Sequence, residues 1–246
     1  MLSAPFVILT LIGSVIIGGL TVVSLEATNK SKIIKLLLAF SGGFMLSIAF
    51  THFIPELYAE NTPFIGYFIL LGFLIQLILE FFSGGIEHGH VHIHKNQKIP
   101  WALFISLSFH SIIEGIPLGN MMEGIGLSDH HNHDAKSLFL GIIFHQIPVA
   151  IALMTLLTQT RLSNIKSWLF LTAFGIMTPI GVCLGLVIPA QNLGIDEHVI
   201  LAVVVGIFLH ISTTIIFETS ENHKFNFLKL ASILIGCAFA FGLNWF

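Results

Sequence analysis

Two short runs of this sequence place side chains able to bind a metal ion inside stretches that are otherwise apolar. The first reads Phe109-His110-Ser111-Ile112-Ile113-Glu114-Gly115, the second Phe144-His145-Gln146-Ile147-Pro148. Residues four apart share one face of a helix, so His110 and Glu114 can direct an imidazole and a carboxylate at one point. His145 supplies a second nitrogen if its helix lies against the first. Zn²⁺ and neighbouring divalent metals accept this mixture of donors. Three protein ligands leave one position of a tetrahedral shell to fill. His210, on another apolar run, is a candidate for it, with water, Gln146 and the Met45 thioether as competitors. A structural histidine bonded to Ser212 or Thr213 is the alternative for His210.

The elements that must position these groups are membrane helices. Of the 246 residues 55% are hydrophobic and only 9% charged, against roughly 25% charged in a soluble domain. A net charge of −3 gives no electrostatic basis for binding nucleic acid. A helical span takes about 20 mostly apolar residues, and eight stretches qualify: 4–25, 36–58, 64–83, 100–122, 137–157, 168–189, 198–218 and 227–246. The chain thus reads as an all-α membrane protein, a single transmembrane domain over residues 1–246. Lys30, Lys32, Lys35, Lys95, Lys98, Arg161, Lys166, Lys224 and Lys229 fall on one face and only Lys136 on the other. The basic face is read as cytoplasmic, with both termini outside and the plasma (inner) membrane as the location. Spans two (Gly43 to Glu56) and seven (Gly206 to Glu218) match in pattern with one residue of offset, yet run in opposite directions. Spans one to three and six to eight are therefore expected to be inverted repeats.

At ~1.5 Å per residue, Glu114 and His145 each lie ~12 Å below the outer surface, with His110 one turn deeper opposite Val149. An ionisable group at that depth needs a partner or a pathway. His52 and Glu56, nearer the outer end of span two, could line an entrance. Glu80 has no evident intramembrane partner and is assigned to the inner interface. Two connecting segments are rich in histidine: 86–98, with His88, His90, His92 and His94, and 123–136, with His130, His131 and His133. Such tracts suit loose, transient metal capture. Cys183 and Cys237, inside apolar runs, are given no role.

With these residues in view, the chain resembles the ZIP (Zrt/Irt-like) divalent-metal transporters over essentially its whole length. The likeness rests on His-Ser-x-x-Glu-Gly from His110 to Gly115, His-Gln-x-Pro from His145 to Pro148, His-x-x-Pro-Glu from His52 to Glu56, and Thr-Pro-x-Gly from Thr178 to Gly181. Eight spans with outside termini and the histidine-rich loop after span three add to it. The resemblance implies an inner bundle of spans two, four, five and seven, and a metal site between spans four and five. It also implies import toward the cytoplasm and a homodimer in the bilayer. By position, His110, Glu114 and His145 match the main ligands, and Met45 a residue that can close the site. Val149 stands where the typical span-five motif has a carboxylate. Ser111 and Gln146 stand where many members carry ligands for a second metal, which argues against a two-metal site.

The resulting expectation is a transporter of a divalent transition metal, Zn²⁺ first, with Fe²⁺, Mn²⁺ and Cd²⁺ open, and no cofactor beyond the cargo. The rivals are an intramembrane metal-dependent hydrolase and a metal-sensing receptor. A zinc protease would want His-Glu-x-x-His, which is absent from the sequence. A sensor would use the same site without flux.

Overall fold

The computed structural model describes residues 3–24, 27–59, 62–83, 101–123, 129–160, 162–218 and 227–243. These form helices α1 (Ala4–Ser24), α2 (Ala27–Ile48), α3 (Ile54–Ala59), α4 (Ile65–Ser83), α5 (Trp101–Glu123), α6 (Asp129–Leu157), α7 (Asn164–Val187), α8 (Glu197–Glu218) and α9 (Phe227–Leu243). No strand occurs among the described residues. A π-helical turn, Ala49–Phe53, joins α2 to α3, so that the two make one span. Pro55 follows it at once and can neither donate to the Thr51 carbonyl nor fit closely over it; an extra residue per turn accommodates that.

Among the described residues seven helical spans are long and apolar enough to cross a bilayer, and α9 is apolar but shorter. All eight expected stretches are helical. Two helices reach further than hydropathy indicated: α2 starts at Ala27 rather than 36, and α6 at Asp129 rather than 137. Hydropathy sees only the apolar part of a helix, and these polar first turns carry on the same backbone pattern.

The distribution of side chains is inverted relative to a soluble protein. Leu70, Leu74 and Phe81 on α4 and Leu234 and Ile235 on α9 are exposed, while Gln76, His110, Glu114, His145 and Gln146 are buried. In lipid the apolar exterior carries no penalty, and interior polar groups can find one another.

The packing has an internal symmetry. Span one packs on span five (α1 on α6) as span six does on span four (α7 on α5), and span two packs on span eight (α2 on α9) as span seven does on span three (α8 on α4). Exchanging spans one and six, two and seven, three and eight, and four and five maps each of these contacts onto another. Close approach repeats with it. A Cβ at Gly43 would meet the Ile233 carbonyl and one at Gly236 the Phe40 carbonyl; a Cβ at Gly206 would meet the Ile69 carbonyl and one at Gly72 the Val203 carbonyl. Small residues let membrane helices touch backbone to backbone. Likewise Gly181 lies against the Ile112 carbonyl and Gly18 against the Ile147 carbonyl. Ile112 and Ile147 each stand two residues after a histidine, so the same operation relates His110 to His145. This is the inverted repeat expected from spans two and seven, extended to the helices that carry the histidines.

Candidate metal site

That symmetry brings α5 and α6 together at their histidines. The His110 and His145 rings stand edge to face with centroids 5.9 Å apart. His110 Nε2 lies 3.7 Å from Glu114 Oε2, one turn up the same helix. All three side chains are only 2% exposed. His145 therefore meets His110 directly.

Two donors on one tetrahedral zinc lie about 3.3 Å apart, and two imidazole centroids about 5 Å apart. The observed separations exceed these by under an ångström. Among the described residues no three His, Cys, Asp or Glu side chains converge tightly enough to enclose one ion as they stand. The three side chains are neighbours at separations close to those of donors sharing one ion.

Both rings are held through Nδ1. His110 Nδ1 is 3.0 Å from Gln76 Oε1 on α4, and His145 Nδ1 is 3.5 Å from Ser41 Oγ on α2. With the Gln76 oxygen as acceptor, Nδ1 of His110 carries the proton and Nε2 presents its lone pair toward Glu114, the tautomer a metal ligand requires. Gln76 is fully buried. Sequence reading missed it; the signal was a lone amide one turn before Glu80 on an otherwise apolar helix.

His210 is placed differently. Its Nδ1 is 3.3 Å from Glu80 Oε2, and its ring packs edge-on against Phe73, both on α4. Glu80 thus has an intramembrane partner, contrary to expectation, and His210 is engaged by α4. The hydroxyls of Thr213 and Thr214 reach the His210 carbonyl, not its ring.

Gln146 is also committed elsewhere. Its Oε1 accepts from the Ser14 hydroxyl of α1 at 2.9 Å, and its Nε2 donates to Thr178 Oγ1 of α7 at 3.1 Å. Both ends of its amide thus tie α6 to α1 and α7. Met45 and Ser111 are buried in the bundle. His52 lies in the π-helical turn with its ring against Phe53, and Glu56 faces a cavity at the end of the bundle. His88, His90, His92 and His94 lie outside the described residues. His130, His131 and His133 fall on the first turns of α6 rather than in a loop, and their side chains lie outside the description.

At the same end, Asp196 accepts from the His198 backbone amide at 3.0 Å, sits 2.7 Å from His198 Nδ1 and accepts from the Thr62 hydroxyl at 2.9 Å. Partial burial pushes its carboxyl up, and these hydrogen bonds together outweigh that and hold it below the usual value. No spacing along the chain signals this cluster, because Thr62 and Asp196 are joined only by the fold.

The family described as ZIP Zinc transporter matches residues 84–244, a stretch that includes His110, Glu114, His145 and His210. The chain is 24% identical to zinc transporter ZIP3 of Bos taurus over 293 aligned positions, covering 92% of this chain and 90% of that one. It is 27% identical to zinc transporter ZIP1 of Danio rerio, covering 53% of this chain and 42% of that protein. To Fe(2+) transport protein 2 of Arabidopsis thaliana it is 23% identical, covering 60% and 54%. The chain spans about half the length, or less, of several of the curated relatives it matches. On the family match, and with the helical bundle it accompanies, this chain belongs to the ZIP zinc transporter family.

Proposed function

We propose that the protein carries a divalent transition metal, zinc first, through the bilayer toward the cytoplasm, binding it on the way at His110, Glu114 and His145. The observation that supports this best is the pairing of two histidines and a carboxylate, all buried, on symmetry-related helices of an inside-out bundle. Polar groups at such depth are expensive unless they serve a partner or a pathway. The family is one of transporters rather than enzymes, and its named members here include zinc and Fe²⁺ proteins.

In this reading Glu114 supplies the negative charge that offsets the cation where water is scarce. The two Nε2 atoms supply soft, neutral donors, and Gln76 fixes the first of them. An ion held by few ligands can also leave, which a carrier needs and a structural zinc site does not. The repeat structure supplies two related halves between which access can alternate, and the excess of basic residues on one face sets the cytoplasmic side. A homodimer in the plasma membrane, with the ends of the chain outside, belongs to the same proposal.

The test is flux. Purified protein in liposomes loaded with a zinc-sensitive dye should take up Zn²⁺ faster than protein-free liposomes; metal binding without flux would favour a receptor.

A further inference from the structure

At the end of the bundle where α3 and α5 finish and α8 begins, Glu56, Asn120, Glu197 and His198 face a small cavity between apolar walls from Pro117 and Leu201. It has about 20 Å³ of room for the centre of a water-sized particle, enough for one water or one small cation. Asn120 is 5% exposed, and among the described residues neither its amide oxygen nor its amide nitrogen has a hydrogen-bond partner. A buried amide left so is costly, and packing alone would be served better by Leu or Met.

His198 shows the complementary feature. Asp196 takes its Nδ1 at 2.7 Å and is itself held by Thr62 at 2.9 Å. A carboxylate on one imidazole nitrogen fixes the ring and its tautomer and makes the other nitrogen a better metal donor. Nε2 is the nitrogen left for the cavity.

We propose that this cavity is a capture site for a divalent transition-metal cation, bound through His198 Nε2 and the Asn120 amide oxygen and drawn in by the carboxylates of Glu56 and Glu197. The inference rests on the transport reading above. No three His, Cys, Asp or Glu side chains converge tightly among the described residues, so the ion keeps part of its water here. That suits capture from solution: the hydrated cation arrives where two carboxylates raise its local concentration and exchanges water for protein donors in steps. Asn120 and Glu114 stand on the same helix, six residues or about 9 Å apart along its axis. The captured ion is one short transfer from the His110–Glu114 pair. Asp196 acts as a positioning residue, through His198.

The experiment is a Zn²⁺ titration of the full chain in lipid nanodiscs, comparing Glu114→Gln with Glu114→Gln/His198→Ala and Glu114→Gln/Asn120→Leu. Metal taken by the histidine tracts is common to all three proteins. Removing His198 or Asn120 should delete one zinc equivalent or weaken it at least about tenfold, and Asp196→Ala should weaken it by about the same factor. In uptake, His198→Ala alone should raise the KM for zinc about tenfold while the maximal rate stays within about twofold, because a mouth site sets capture and not translocation. Identical titrations for the three proteins would overturn the capture site, whatever the uptake assay gives. Absence of uptake by the unsubstituted protein would overturn the transport reading and leave the titration difference standing.

Discussion

Replacing Gln76 by leucine removes the acceptor that lies 3.0 Å from His110 Nδ1, in a fully buried position on α4. The Nδ1–H then loses that acceptor. Leaving a buried donor unmade costs about 1–3 kcal/mol, and the ring can recover it only by turning toward another acceptor or by moving its proton to Nε2. Either response withdraws the lone pair that now points toward Glu114. Loss of such a supporting partner typically lowers metal affinity 10–100-fold, or about 1.4–2.8 kcal/mol at 1.4 kcal/mol per decade, so the two estimates agree. The assay is zinc affinity in nanodiscs together with the KM for uptake, with thermal unfolding in detergent as the check on folding. Gln76→Glu keeps an acceptor at the same place and should retain metal binding. A well-folded Gln76→Leu protein binding zinc within about twofold of the original would refute the argument that Gln76 sets the His110 tautomer.

Further outcomes follow from the same geometry. His210→Ala should lower thermal stability by removing the His210–Glu80 contact and should leave central-site zinc affinity nearly unchanged, with a Glu80/His210 coupling of about 0.5–3 kcal/mol in a double-mutant cycle; a loss of affinity equal to that of His145→Ala would make His210 a ligand. Gly206→Val and Gly43→Val should each destabilise the bundle by about 1–3 kcal/mol or more by forcing apart α8 and α4, or α2 and α9, read as a drop in unfolding temperature; full tolerance would mean these backbones are not in contact. Gln146→Leu should cost stability through the lost links to Ser14 and Thr178 and spare zinc affinity, and a tenfold affinity loss in a stable protein would return Gln146 to the metal.

Much of this architecture was legible because a bilayer imposes simple rules. Long apolar runs locate the helices, and residues four apart on one helix must share a face, which is how the His110 and Glu114 neighbourhood could be read. What the sequence could not carry was register between helices. Counting inward from residue 137 used an apparent helix end, and α6 continues eight residues past it. The His110–His145 contact follows instead from the pseudo-symmetry, whose clearest marks are the paired glycines Gly72 with Gly206 and Gly43 with Gly236. Partner choice was equally hidden. Glu80 with His210, Gln76 with His110 and Gln146 with Ser14 and Thr178 all join different helices, where no spacing along one helix gives a signal. Val149, buried four residues after His145, remains the departure that separates this site from a carboxylate-rich one.

The central claim is that Glu114 carries the charge on which transport depends, and one comparison tests it most directly. Zn²⁺ uptake is measured in liposomes containing equal amounts of folded protein with and without Glu114→Gln, a change that keeps the shape of the side chain and removes its charge. Stripping the partner from a charge held out of water costs about 3–5 kcal/mol, so uptake by Glu114→Gln should fall by about two to four orders of magnitude, to the level of protein-free liposomes. Uptake at the original rate, by protein shown to be folded and inserted, would contradict the account.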